Sequence, residues 1–222
     1  MENPSFNLAS IDPGTGTVGV GILTLCATTF ELLGIEAIGL EASRFAKDYY
    51  SPFEARDLRL DWIESVLTDI FFAYNPLVIC AESNFLKMKT VSAYGPLVES
   101  VARIRRAVYA FNATRTLYMV TPQEGKFSVG AERKSKAESL LPFVEATLGK
   151  YYKGDIPLSQ LDEHALDSIV IGYAQYLKLV EKWRGPPIDL LTIKRPKDVP
   201  EHPRVVQVKR HSSRRSRRRR SV

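Results

Sequence analysis

The sequence predicts an α/β protein built on a mixed five-stranded sheet that is flanked by helices. Three observations support this prediction. Three strand-like segments come first, helix-like and strand-like segments then alternate, and one later strand-like segment, residues 77–83, is nearly all apolar. A nearly continuous apolar run is typical of a strand buried on both faces, as in a parallel sheet covered by helices.

The first three predicted strands cover residues 6–11, 18–25 and 30–40. A turn with the sequence PGTG separates the first two, and a hairpin is expected between the second and the third. We therefore expect one antiparallel edge of the sheet. The later strands are separated by helices, so they should join the sheet through parallel crossovers.

Helical and strand-like periodicities alternate after residue 50. Apolar residues at helical spacing, from Ile63 to Phe71, predict an amphipathic helix that ends near Asn75. A second helix with its own apolar stripe covers residues 95–111. The remaining predicted elements are, in order, a strand at residues 115–121, a short turn or helix with a basic loop, a helix, and a long helix at residues 158–183.

The composition changes near the end of the chain. Residues 1–185 form one predicted domain, whereas residues 186–222 form a Pro- and Arg-rich extension with a basic tail. The run at residues 209–220 holds eight Lys and Arg residues and no acid; removing them from the net charge of +6 leaves −2 for the rest. Such a run is expected to be disordered and to bind a polyanion such as nucleic-acid phosphate, with a solvated or targeting tail as the alternative.

Cys26 and Cys80 lie far apart in apolar, strand-like segments. We interpret them as reduced core thiols of an intracellular protein rather than as a disulfide or a metal site. No segment of the sequence is both long and uncharged enough to span a bilayer, and a secretory signal is not expected from the first residues.

Two carboxylates end predicted strands. Asp12 follows the first strand, and Glu82 ends the apolar run at residues 77–83. A lone Asp at a strand end is more often a turn-former that caps the following loop. If the two strands are neighbours, however, both carboxylates leave the same end of the sheet, where a divalent cation would relieve their repulsion. Hard oxygen ligands of this kind suit Mg²⁺.

The last long helix adds a histidine and further acids. His164 and Asp167 are three residues apart and lie on one helical face. Alone, His164 is best explained as a structural histidine; beside the acids, a ligand or general base is equally reasonable. Ser159 and Asp162 have the spacing of a capping box, which makes Asp162 a helix-start residue, with metal or substrate contact as the lesser alternative. Glu163 points away from the face of His164.

Four motifs in this order resemble those of the RuvC-type Holliday-junction resolvases, which have the ribonuclease H-like fold. IDPG with its glycine-rich hairpin is similar to their opening motif, AESNF to their second acidic motif, and HALDSIVIGYA to their closing helix in the variant that begins with His. VTPQEGKFSVG followed by AERKSKAES is similar to their basic segment. The resemblance covers residues 8–174 and implies a ribonuclease H-like mixed five-stranded sheet flanked by helices.

The resemblance implies metal-dependent hydrolysis of phosphodiester bonds in branched DNA. Asp12 would bridge two Mg²⁺ ions in each active site, Glu82 would hold one of them, and Asp167 with His164 would hold the other; Mn²⁺ would substitute. A four-way junction would receive paired symmetric nicks that leave 5′-phosphate and 3′-hydroxyl ends. Two such nicks imply a homodimer with one site per subunit. Association with a membrane is not expected. The expected location is intracellular, with DNA, in a bacterial or phage cytoplasm or in a eukaryotic nucleus or organelle.

Aromatic and basic residues around these motifs are the candidate DNA contacts. Phe85, three residues after Glu82, would stack on an unpaired base, although a core Phe is the simpler explanation without the resemblance. Phosphate contacts are expected from two loop lysines, the basic segment and the tail, each of which could equally be solvated surface. The residues are Lys87, Lys89, Lys126, Arg133, Lys134, Lys136, Arg214, Arg215, Arg217, Arg218, Arg219 and Arg220.

Three alternatives stay open at this point. The sequence DPGTGTVGVGI also resembles the first phosphate loop of the sugar-kinase, actin and heat-shock ATPase superfamily, but the sequence has no second hairpin of this kind and is short for two such domains. A non-catalytic nucleic-acid binder would need only the fold and the basic tail. Another ribonuclease H-like nuclease, which cuts RNA–DNA hybrids or flaps, would share the metal site.

Overall fold

The computed structural model describes residues 4–44, 52–83, 91–132 and 137–183. Within these ranges the strands are β1 (Ser5–Asp12), β2 (Thr17–Cys26), β3 (Leu32–Glu41), β4 (Val78–Glu82) and β5 (Leu117–Val120). The helices are α1 (Pro52–Tyr74), α2 (Val91–Phe111), α3 (Pro122–Ser128), α4 (Ala137–Leu148) and α5 (Glu163–Lys182). Short 3₁₀ turns cover Ala42–Arg44, Gly149–Tyr151 and Leu158–Gln160.

The five strands form one mixed sheet in the order β3-β2-β1-β4-β5. β1, β2 and β3 pair antiparallel, whereas β4 pairs parallel with β1, and β5 pairs parallel with β4. Short turns permit the antiparallel pairs, while α1 and α2 supply the longer crossovers that parallel strands need. The predicted fold class, with its antiparallel edge, is confirmed.

Helices cover both faces of the sheet. α1 and α2 pack on one face around a core that includes Ile11 and Phe71. α4 and α5 pack on the other face, around a core that includes Leu8. Because successive side chains of a strand point to opposite faces, Leu8, Ser10 and Asp12 all project toward α5. The sheet therefore presents Asp12 to α5 at the carboxyl end of β1.

Several element boundaries differ from the sequence prediction: α2 begins at Val91 rather than near residue 95, and β5 begins at Leu117 rather than at residue 115. β3 begins at Leu32 rather than at residue 30, because Phe30 has a positive φ of 60° in the turn between β2 and β3. A β-strand cannot continue through that left-handed conformation. α5 begins at Glu163 rather than near residue 158, because Leu158–Gln160 form a separate 3₁₀ turn.

Both cysteines are buried free thiols, as predicted. Burial raises the pKa of the Cys80 thiol, which keeps the sulfur protonated and unreactive. No helix in the described part of the chain has an apolar stretch long enough to cross a bilayer. The predicted extension from residue 186 onward lies outside the described residues.

Candidate active site

Asp12 and His164 are distant in sequence but in direct contact. Nδ1 of His164 lies 2.6 Å from Oδ2 of Asp12. β1 presents the nearly buried Asp12 carboxylate at its carboxyl end, and the first turn of α5 brings His164 onto it. The structure thus brings together two of the four residues that the sequence assigns to catalysis and metal binding.

Glycines allow α5 to lie this close to the sheet. A Cβ at Gly19, which is opposite Asp12 in the β1–β2 ladder, would lie 2.8 Å from the backbone nitrogen of Ala165. A Cβ at Gly21 would lie 2.7 Å from the hydroxyl oxygen of Ser10. The packed interior leaves no room for these atoms. The alternating glycines of β2, which also resemble a nucleotide-phosphate hairpin, therefore have a packing explanation.

Burial and the contact with His164 act in opposite directions on the Asp12 carboxyl. Burial raises the pKa of Asp12 above its ordinary value, and the hydrogen bond and the charge of His164 partly offset this increase. The same hydrogen bond raises the pKa of His164 above its ordinary value. When His164 is protonated, its imidazolium is the internal counter-charge of the Asp12 carboxylate.

Asp167 lies one turn along α5 from His164. Burial, followed by repulsion from Asp12, raises the pKa of Asp167 to about 6. The positive charge of Lys126 on α3 opposes this increase, so Lys126 lies within electrostatic reach of the carboxyl. Because neighbouring carboxylates resist ionisation together, a bound cation would stabilise the ionised form of both acids.

Glu82 ends β4 at the matching position of the adjacent strand. The β1–β4 ladder pairs Ile11 with Ala81, so Asp12 and Glu82 are the next residues of two parallel strands. Cys80 of the same strand packs into the core on the α5 side, and the alternation of side chains directs Glu82 to that side as well. Asp12 and Glu82 therefore leave the same edge of the sheet on the same face.

The donor atoms at this edge suit a hard divalent cation. Three carboxylates and one imidazole come from β1, β4 and α5, and hard cations prefer oxygen ligands. The raised pKa of Asp167 indicates a buried acid that is short of counter-charge. Within the residues that the structure describes, no group of three or more His, Cys, Asp and Glu side chains is arranged to hold a metal ion as it stands. Binding would require Asp12 and His164 to exchange their mutual contact for contacts with the ion.

The predicted capping box at Ser159 and Asp162 is wrong in detail. Asp162 is itself the N-cap of α5: its backbone is extended, and its Oδ1 accepts a hydrogen bond of 2.7 Å from the backbone N–H of Ala165. Ser159 belongs to the preceding 3₁₀ turn and cannot cap a helix that starts at Glu163. Asp162 is nevertheless a helix-start residue, as expected.

The turn between β1 and β2 forms one wall of the site and is held from three directions. A Cβ at Gly14 would lie 3.7 Å from Cε1 of His164. The carbonyl oxygens of residues 14, 15 and 16 accept hydrogen bonds of 2.9 to 3.0 Å from the Ser100 hydroxyl of α2, the Arg59 guanidinium of α1 and the backbone N–H of Ser43, respectively. Elements on the far face of the sheet therefore fix this wall.

Sequence reasoning missed Ser10, Ser100 and Arg59 as supports of the site. The Ser10 hydroxyl donates a hydrogen bond of 2.7 Å to the carbonyl oxygen of Ser168, which ties β1 to α5. Both serines interrupt the buried, apolar positions of their elements, and a buried polar side chain usually has a hydrogen-bond partner. A serine at an otherwise apolar position therefore indicates a supporting hydrogen bond in the sequence itself. An arginine such as Arg59 on a partly exposed helix gives no such indication.

Most of the predicted DNA contacts lie in segments that the structure does not describe. These are Phe85, Lys87, Lys89, Arg133, Lys134, Lys136, Arg214, Arg215, Arg217, Arg218, Arg219 and Arg220. Lys126 is described; it is half-buried on α3 beside Asp167.

Solved structures of known resolvases share this fold. Thermus thermophilus RuvC in complex with a Holliday junction substrate is 18% identical, with 78% of this chain and 95% of that chain covered and a TM-score of 0.54. A second T. thermophilus RuvC structure is 18% identical, with coverages of 79% and 97% and a TM-score of 0.56. The yeast mitochondrial Holliday junction resolvase Ydc2 is 12% identical, with coverages of 83% and 84% and a TM-score of 0.55.

The chain therefore has the ribonuclease H-like fold of the RuvC-type resolvases, and the resemblance read from the sequence is confirmed at the level of the fold. No protein-family model matches the chain, and no curated protein matches it.

Proposed function

We propose that this chain is a metal-dependent, structure-selective endonuclease that cuts four-way DNA junctions by paired symmetric nicks. The observation that carries the proposal is the contact between the strand-end acid Asp12 and His164 of α5, with Glu82 at the matching end of the adjacent strand, in a chain with the RuvC fold. Further support comes from the T. thermophilus RuvC structure with the same fold, which contains a Holliday junction substrate.

We propose Mg²⁺ as the cofactor, with two ions per site and with Mn²⁺ able to substitute. The bound ions would supply an activated water and would stabilise charge at the phosphate. Asp12 would be shared between both ions. Glu82 would hold one ion, and His164 with Asp167 would hold the other.

The chain itself contributes position and charge rather than covalent chemistry. β1 and the turn after it fix Asp12, while α5 fixes His164 and Asp167 on one face. When a cation replaces the imidazolium beside Asp12, the Nδ1 atom of His164 becomes available to bind the cation or to accept a proton. Lys126, which lies within electrostatic reach of Asp167, would contact a phosphate oxygen of the cut strand. Cleavage would leave 5′-phosphate and 3′-hydroxyl ends.

The outward face of α2 favours a homodimer. Val98 and Tyr109 are 41% and 72% exposed and, with Gly95, Ala102 and Arg105, form an exposed stripe at spacings of three and four residues. A stripe with this spacing is typical of a surface that packs against another helix. A two-fold dimer would present one site to each of two strands at a junction, which explains paired nicks.

A cleavage assay on matched substrates tests the proposal. The full chain is incubated with a four-way junction, a linear duplex, a flap and an RNA–DNA hybrid of the same sequence, with Mg²⁺ or Mn²⁺. We expect paired nicks in the junction alone, and none with Asp12→Asn or Glu82→Gln. Glu145→Gln, which changes an exposed acid of α4, is the matched control and should cut normally.

Other outcomes of this assay, and of a thermal unfolding measurement with ATP–Mg²⁺, would contradict part of the proposal. Preferential cutting of the hybrid or the flap would keep the metal site but overturn junction selectivity. Full activity of Asp12→Asn would overturn the assignment of the site. Thermal stabilisation by ATP–Mg²⁺ without cleavage of any DNA would favour the ATPase alternative.

A further inference from the structure

A further acid, Asp162, stands at the start of α5 beside the candidate active site. Its charge is a minor cause of the raised pKa values of Asp12 and His164, so it lies within electrostatic reach of both. Two functions are compatible with that location: a metal or substrate ligand, or a support for the residues that follow it. The contacts of the carboxylate decide between them.

The Asp162 carboxylate contacts the first turn of α5 and the backbone of β3. Oδ1 accepts the hydrogen bond from the backbone N–H of Ala165. The group is seated against Gly39 of β3, where a Cβ would lie 2.7 Å from the carboxyl carbon and closer still to Oδ2. Gly39 therefore provides the space into which the cap fits.

The register of the sheet shows how far this seat is from the acid at the centre of the site. Gly39 is opposite Gly19 in the β2–β3 ladder, and Gly19 is opposite Asp12 in the β1–β2 ladder. Gly39 thus lies two strands from Asp12, which is about 10 Å at the usual strand spacing. Between them, the backbone of His164 lies over Gly19, and its ring reaches Asp12.

We propose that Asp162 is a positioning residue, which anchors the first turn of α5 to β3 at Gly39 so that the imidazole of His164 reaches Asp12. The kinetic consequence rests on the proposed nuclease function, whereas the anchoring of His164 does not. Asparagine also caps helices well, so the anchor needs the shape and hydrogen bond of the side chain rather than its charge. A metal ligand, in contrast, needs the charged carboxylate.

The test combines two measurements on the full chain. The first is the long-range ¹H–¹⁵N spectrum of the imidazole in metal-free protein, which reports the contact of Nδ1 with Asp12. The chain has only three histidines, so His164→Gln assigns the signal. The second is junction cleavage with Mg²⁺. The variants are Asp162→Asn, Asp162→Ala, Gly39→Ala and the double variant Gly39→Ala with Asp162→Gly, and the control is Gly149→Ala, where a Cβ meets nothing within 4 Å.

We expect Asp162→Asn to keep the wild-type imidazole signal and to cut within about threefold of the wild-type rate, since Asn is an equally good cap. Asp162→Ala and Gly39→Ala should lose the signal and cut about a hundredfold more slowly, because a small misplacement of a reacting group has an effect of that size. The double variant removes the clash at residue 39 together with the anchoring side chain. Since glycine caps a helix without reaching β3, this variant should fold but still lack the imidazole signal and cut as slowly as Asp162→Ala. Gly149→Ala should match the wild type.

Three results would overturn the inference. If Asp162→Asn keeps the imidazole signal but is as inactive as Asp12→Asn, Asp162 is a metal or substrate ligand. If Asp162→Ala and Gly39→Ala keep the wild-type imidazole signal and cleavage rate, the Asp162 side chain does not anchor α5 to β3. If either variant does not fold, the double variant decides, and a wild-type imidazole signal in it contradicts the proposal, because no side chain then anchors α5 to β3. If the wild type cuts no junction, the imidazole signals alone decide, so the two proposals fail separately.

Discussion

Replacing Asp167 by asparagine is expected to stabilise the metal-free protein, because the wild-type carboxylate is held in an unfavourable place. Burial, and then the charge of Asp12, raises the pKa of Asp167 from its ordinary value of 3.8 to about 6. Asparagine has nearly the same shape and no charge. The substitution therefore removes a proposed metal ligand and a destabilising charge at the same time, as is common at functional sites.

The pKa of Asp167 sets an upper limit on the effect. The difference between 3.8 and about 6 corresponds to about 3 kcal/mol, at 1.36 kcal/mol per pH unit. The buried amide of asparagine also loses hydration, so we expect about 1–2 kcal/mol, or a rise in Tm of roughly 2–8 °C for a domain of this size.

The pH dependence of this effect has a definite sign. Between about pH 4 and pH 6 the native state binds more protons at Asp167 than the unfolded state does. Stability of the wild type therefore falls as the pH rises through this window. The advantage of Asp167→Asn should be absent below about pH 4 and complete above about pH 6.

Thermal unfolding in EDTA, followed by circular dichroism from pH 4 to pH 8, measures the difference between wild type and Asp167→Asn. Asp69→Asn, which changes an exposed acid of α1, is the control and should show no such pH dependence. Added Mg²⁺ should stabilise the wild type more than Asp167→Asn. If Asp167→Asn is less stable than the wild type at pH 8 in EDTA, or if the difference is the same at pH 4, the electrostatic account of this site is wrong.

Four further predictions concern the surroundings of the site. Lys126→Ala should raise the pKa of Asp167 further, because it removes a positive charge that favours the carboxylate. Carboxyl-carbon NMR titration of the metal-free protein measures this pKa, and a lower value would contradict the account. Ser100→Ala leaves a carbonyl of the β1–β2 turn without its donor and should lower the free energy of unfolding by about 1–2 kcal/mol in urea; no loss would mean that the turn is held otherwise. Val98→Asp should convert the proposed dimer to a folded monomer in light scattering, and a monomeric wild type would contradict the dimer. Alanine at residues 217–220 should reduce the slope of log affinity against log salt for junction binding by about 3–4. An unchanged slope would show that the tail does not contact DNA phosphates.

Local patterns in the sequence predict a mixed sheet with an antiparallel edge, and they place its two acids at one end of the sheet if their strands are neighbours. The short turn after Asp12 dictates an antiparallel neighbour, and the helix before β4 permits a parallel one. Side-chain alternation along the strands then places Asp12 and Glu82 on one face. Helical periodicity likewise places His164 and Asp167 together.

The rest of the candidate site depends on contacts between distant segments, which local patterns do not encode. The space at Gly39 is meaningful only because the cap of α5 lies over β3, and Asp162 belongs to a different part of the sequence. The exact start of α5 was misplaced for a related reason. Ser159 and Asp162 are both good caps, and the choice between them depends on how the preceding 3₁₀ turn packs.

The central claim is that Asp12, Glu82, His164 and Asp167 surround divalent cations when DNA is bound. Anomalous diffraction from a crystal of the full chain with a four-way junction and saturating Mn²⁺ measures this directly. The account predicts manganese peaks within about 2–2.5 Å of Asp12 oxygens, with ligands from β4 on one side and from α5 on the other. A structure with the junction seated at this edge and no manganese on Asp12 would contradict it.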